Sequence, residues 1–158
     1  MLLNRLATAM LVVGLFMTAA PISAAGKHLL LGTWDVDISK LSQPNPPKAV
    51  TIVLEEVGDG RYKMSVDIVG QDGTKSHGEG TFKPGGTPSP AVGSADVDVV
   101  SITMPNKRTL VLGAAFKGHP SNTRVFSLSD DGRHMIETVV SHAPDSTPTI
   151  RVNTWNRR

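Results

Sequence analysis

From Leu29 onward the chain shows no helical apolar repeat. Its apolar residues fall in short, β-branched runs separated by turn signals at roughly ten-residue intervals. The first run covers residues 30–38, where Trp34, Val36 and Ile38 share one face of an extended chain and Asp35 and Asp37 the other. A link containing Pro44, Pro46 and Pro47 ends it. Residues 49–57 then lead through Gly58-Asp59-Gly60 into 62–69, whose Tyr62, Met64, Val66 and Ile68 alternate with Lys63, Ser65 and Asp67. This pair is the clearest hairpin in the sequence. Gln71-Asp72-Gly73-Thr74 turns the chain into 75–82, where Gly78 and Gly80 share a face with Phe82, the pattern of a bend, a bulge or a close backbone approach.

Residues 84–94, rich in Pro and Gly, read as the longest loop. After it come runs over 96–104, 108–117, 123–129, 134–141 and 149–155, joined by Pro105-Asn106-Lys107, Gly118-His119-Pro120, Asp130-Asp131-Gly132 and the 143–148 stretch. The pattern predicts an all-β chain, an antiparallel up-and-down meander of about eight to ten strands. An open sheet would leave two edges free, and closure into a barrel removes both. The alternative, a β-sandwich, needs longer crossing connections, for which 84–94 is the one candidate.

The N-terminus does not belong to this pattern. Asn4 and Arg5 precede an apolar stretch over 6–20, followed by Pro21 and the small residues Ser23, Ala24 and Ala25, the order of a cleaved signal peptide. The stretch is shorter than the roughly 20 residues that cross a bilayer, so residues 1–25 are expected to be removed. Residues 26–158 then form one domain of about 130 residues, enough to bury a core without disulfides. The chain has no cysteine, so it offers neither a disulfide nor a thiol for lipidation. The expected setting is export to a bacterial periplasm or the medium, with no membrane span in the mature chain. The formal net charge is +2, which falls to +1 without Arg5, and the basic residues are scattered rather than clustered. Nucleic-acid binding is not expected from such a surface.

The run Leu31-Gly32-Thr33-Trp34-Asp35-Val36-Asp37 resembles the Gly-x-Trp opening of the first strand in lipocalins and other calycins. The order that follows resembles small exported lipocalin-like proteins of bacteria along nearly the whole mature chain: a Pro-rich link, Gly58-Asp59-Gly60, Gln71-Asp72-Gly73, Pro90 and Gly93 before a Val-rich strand, then Asp130-Asp131-Gly132. The resemblance implies a lipocalin-like barrel in which Trp34 packs across the closed base near an Arg of the last strand, either Arg151 or Arg157. The residues independently give Trp34 that role, a large ring on an inward face beside Gly32, where another backbone can approach closely. Gly32 and Trp34 are therefore the expected barrel base. The chain lacks a clear C-terminal helix and a Thr-Asp-Tyr-type second motif, which sets it apart from true lipocalins.

No nucleophile elbow, P-loop, dinucleotide fingerprint or zinc-helix motif is present, so no catalytic residue or cofactor is assigned. His134 and His142 share a strand face but lie about 26 Å apart along it, too far to hold one metal ion. Asp35 with Asp37 and Asp96 with Asp98 lie about 7 Å apart along their strands, near the separation of a glycosidase pair. Alternating acids are, however, what the outer face of a barrel strand looks like. Barrels of about eight strands can hold one small ligand, and Val50, Ile52, Leu54, Leu110, Leu112, Ala114 and Phe116 are the inward candidates to line such a cavity. The sequence thus predicts a non-enzymatic exported barrel that binds a small apolar or amphipathic molecule. The alternative is a structural or protein-interaction module of the cell envelope, with a filled interior.

Overall fold

The computed structural model describes residues 27–142 and 147–158; the expected signal peptide and most of the 143–148 connection lie outside the described residues. Ten strands follow in chain order: β1 (Gly32–Val36), β2 (Ala49–Gly58), β3 (Arg61–Val69), β4 (Lys75–Phe82), β5 (Pro88–Val92), β6 (Val99–Asn106), β7 (Thr109–Phe116), β8 (His119–Leu128), β9 (His134–His142) and β10 (Pro148–Arg157). Each pairs antiparallel with its sequence neighbour, and β1 also pairs with β10, so the meander closes into a barrel. Among the described residues no helix is long and apolar enough to cross a membrane.

Three stretches differ from the sequence expectation. Residues 84–94 are not all loop, because β5 runs within them and bridges β4 to β6. Pro88 and Pro90 mask it, since proline donates no ladder hydrogen bond and reads as a turn residue. The first run is shorter than expected. β1 ends at Val36, and Ile38–Lys40 form one 3₁₀ turn capped by Asp37, whose side chain accepts from the Ser39 amide. The turn expected at Gly118-His119-Pro120 falls one residue earlier, with Lys117 at φ 52° and Gly118 at φ 80°. His119 and Pro120 therefore begin β8, across a register shift between Ala114 and Ala115 of β7.

The inward rows form one continuous core. At the base, Trp34, Leu54, Phe82, Leu110, Phe126 and Met135 pack with Leu30 and Leu31 of the N-terminal segment, whose Leu29 amide reaches the Lys107 carbonyl. Trp34 is 1% exposed. Its indole Nε1 donates to the Leu30 carbonyl at 2.8 Å, and the Arg157 guanidinium lies 4.1 Å above its ring. Of the two arginines open to that role, the register chooses Arg157, which stands opposite Trp34 across β1 and β10. Arg157 also donates to the carbonyls of Gly132, Leu31 and Leu29, tying the last strand to the N-terminal segment. Gly32 makes room for this: a Cβ there would lie 2.7 Å from Arg157 Nη1, and its φ of +133° suits glycine. Higher up, Gly78 and Gly80 let β5 come close, the Pro90 carbonyl lying 3.2 Å from where a Gly80 Cβ would be.

On the outer face, Asp35 is held by Arg158 at 2.7 Å and by the Thr51 hydroxyl. Burial opposes its ionisation, but those partners hold its carboxyl below the usual range. His77 stands between Asp67 at 2.7 Å and Glu79 at 3.3 Å, and the Glu79 carboxylate also meets Lys63 at 2.6 Å.

Candidate functional site

Above the packed base the inward side chains no longer meet. They leave a cavity of about 530 Å³, within the usual size range of small-molecule sites. Its apolar side comes from β2 and β3 (Val50, Ile52, Met64, Val66) and from β6 and β7 (Val100, Ile102, Leu112, Ala114). Gly78 and Gly80 border it without filling it. Valine, alanine and glycine on inward positions are what keep this level open, whereas Trp, Phe and Leu fill the level below.

The structure divides the seven cavity candidates read from the sequence. Val50, Ile52, Leu112 and Ala114 line the cavity. Leu54 and Leu110 lie lower, in the close-packed floor beside Trp34, where little more than 10 Å³ is free. Phe116 lies outside both linings, half-buried at the end of β7, with the Lys117 ammonium 5.0 Å from its ring. Gly32 and Trp34 lie at the base, as described above.

The remaining wall is polar. β8, β9 and β10 present Asn122, Arg124, Glu137, Asn153 and Trp155 to the same space. Glu137 is 0% exposed, and in the register of the sheet it lies between Phe126 and Asn153. An ionised carboxylate tolerates such burial only when its oxygens are satisfied, and here both are. Oε1 accepts from Arg124 Nη1 at 2.9 Å, while Oε2 accepts from Asn153 Nδ2 at 2.7 Å and Trp155 Nε1 at 3.0 Å. Arg124 is oriented further by its Nε, which donates to Asn122 Oδ1 at 2.9 Å. The Arg124 side chain remains one-third exposed and lines the cavity. Near the mouth, Arg151 donates to Gln43 at 2.8 Å, and Asp96 accepts from Ser94 at 2.8 Å.

Sequence reading did not single out this cluster, although a signal for it exists. On β9, Glu137 shares its inward row with Met135 and Val139; on β8, Arg124 shares one with Phe126; on β10, Asn153 shares one with Trp155. A charged or amide side chain within an apolar alternating row marks a buried polar site.

No protein-family model and no curated protein matches the chain. Among solved structures, the barrel is similar to an asparagine-to-alanine mutant of the fluorescent protein UnaG, with a TM-score of 0.58 and 14% identity over 82% of this chain and 96% of that one. It is also similar to wild-type UnaG, with a TM-score of 0.52 and 17% identity over 82% of this chain and 97% of that one. At such identities the likeness is one of fold: this chain forms a closed ten-stranded, lipocalin-like barrel, with an open cavity above a packed base.

Proposed function

We propose that the barrel binds one small amphipathic molecule, its apolar body against β2, β3, β6 and β7 and its polar end at Arg124, Asn122 and Asn153. The observation that carries this reading is the 530 Å³ cavity with an apolar side and a hydrogen-bonding wall. A filled barrel would have no use for a buried, fully partnered carboxylate, which costs more to desolvate than an apolar side chain of similar size. The role proposed is carriage or storage rather than catalysis, in the exported setting that residues 1–25 suggest.

A hydrophobic reporter dye tests the reading. The expected result is that the wild type takes up dye at one site, and that Ala114→Trp, which places a large ring among the lining residues, abolishes uptake while the melting curve still shows a folded protein. Absence of uptake by the folded wild type would sink the proposal. The second reading, an envelope interaction module, is favoured by one observation: Ile136, Val140, Ile150 and Val152 are exposed together on the outer face of β9 and β10. Cross-linking in cells tests it, since loss of a cross-linked partner with Ile150→Lys is its expected result.

A further inference from the structure

We infer that the polar end of the bound molecule is uncharged, an alcohol, ester, ketone or amide, and not a carboxylate or another anion. The inference rests on the binding reading above and concerns the charge of the cavity wall.

Among the described residues, Arg124 is the cation beside the buried wall, and its charge is already met by Glu137 at 2.9 Å. The pair is neutral as a unit. Glu137 cannot be displaced from it cheaply, because the carboxylate is wholly buried and Asn153 and Trp155 hold its other oxygen. A ligand carboxylate approaching Arg124 would gain one attraction and incur a repulsion from Glu137 only slightly further away. In a water-poor site that balance does not offset the loss of the ligand's own hydration. Nearer the mouth, Arg151 and Asp96 contribute one charge of each sign, so among the described residues the four charged side chains Arg124, Arg151, Glu137 and Asp96 of the lining sum to zero. Glu79 borders the space from an outward strand position, with its carboxylate tied to Lys63.

What the wall offers is hydrogen bonding. The Arg124 guanidinium has five N–H groups, of which one is used on Asn122 and one on Glu137. Since a carboxylate oxygen can only accept, Asn153 turns its amide nitrogen toward Glu137 and keeps its Oδ1 as an acceptor, with no hydrogen bond to that oxygen among the described residues. Donors and an acceptor side by side, without net charge, fit a hydroxyl or amide, which both donates and accepts, or a carbonyl, which accepts from Arg124.

The test is competition against the uncharged dye Nile red by three probes of one chain length, dodecanol, dodecanoate and dodecylammonium, at about pH 8, where the acid is ionised and the amine protonated. Dodecanol is expected to displace dye from the wild type at a concentration at least about tenfold below either charged probe. Glu137→Gln leaves the Arg124 charge uncompensated and should bring dodecanoate level with or ahead of dodecanol. Arg124→Gln with Glu137→Gln should restore the preference for dodecanol, and this pair keeps the test decisive should Glu137→Gln alone fail to fold. Wild-type preference for dodecanoate, or a probe order unmoved in a folded Glu137→Gln, overturns the inference while leaving small-molecule binding intact. Failure of the folded wild type to take up dye or any probe overturns both.

Discussion

Replacing Trp34 by Ala removes the keystone of the barrel base, and the structure sets the size of the effect. Truncating a buried Trp or Phe costs about 3 to 5 kcal/mol, with the spread set by how far the surroundings collapse. Here they cannot collapse far, since the floor around Trp34 is already close-packed between Leu30, Leu54, Leu110 and Met135. Two further losses push the value to the top of the range. The buried Leu30 carbonyl loses its Nε1 donor, and the Arg157 guanidinium loses the ring beneath it. We therefore expect about 5 kcal/mol for Trp34→Ala. Trp34→Phe keeps an aromatic face for Arg157 but drops the N–H, and should cost about 1 to 3 kcal/mol. Denaturant melts followed by fluorescence measure both, because Trp155 remains as the reporter. A loss below about 1 kcal/mol for the alanine variant would refute the assignment, as it would place the ring outside the core.

Other outcomes follow from the same geometry. Gly32→Ala should cost about 1 to 3 kcal/mol by thermal melt, because its Cβ enters the space of Arg157 Nη1 at a positive φ. Arg124→Leu should cost about 3 kcal/mol, the low end for breaking a buried pair since Arg124 is one-third exposed; Arg124→Leu with Glu137→Leu should cost less than the sum of the two single losses, although Trp155 Nε1 and Asn153 Nδ2 then lose their acceptor, and strictly additive denaturant losses would contradict the coupling. His77 is raised above its ordinary value by Asp67 first and then Glu79. Its contribution to stability is therefore full below about pH 6.5 and is lost as pH rises through the folded-state value. His77→Ala should thus fall furthest below wild type in Tm near about pH 6 and approach it in alkaline buffer.

The sequence exposes those parts of the fold that depend on local pattern. The β2–β3 hairpin is visible because Tyr62, Met64, Val66 and Ile68 alternate cleanly after a Gly-Asp-Gly turn that follows the apolar run of β2. β5 is hidden because its prolines suppress every strand signal, although they are harmless where the ladder is short. The choice between Arg151 and Arg157 depends on the register of β1 against β10, a pairing between residues more than a hundred positions apart. The cavity candidates show the same division. Strand parity places Leu54, Leu110 and Ala114 inward, but height along the barrel, which sequence does not carry, separates floor from cavity. The Glu137 cluster combines both problems: its parity is local, while its members come from three strands.

The shortness of β5 also governs how the molecule moves. β4 and β5 pair at two positions, Glu79 with Val92 and Gly80 with Ala91, while β2 and β3 pair along almost their whole lengths. A wall breathes first where the fewest bonds must break together. Hydrogen exchange should therefore be faster at the seam amides of Glu79 and Val92 than at those of β9 and β10. Gly78 and Gly80 bring no side chains to that seam, so its parting uncovers the cavity directly. Parting of that seam widens the way into the barrel beyond the mouth, so that a substitution tightening it should slow entry and exit alike.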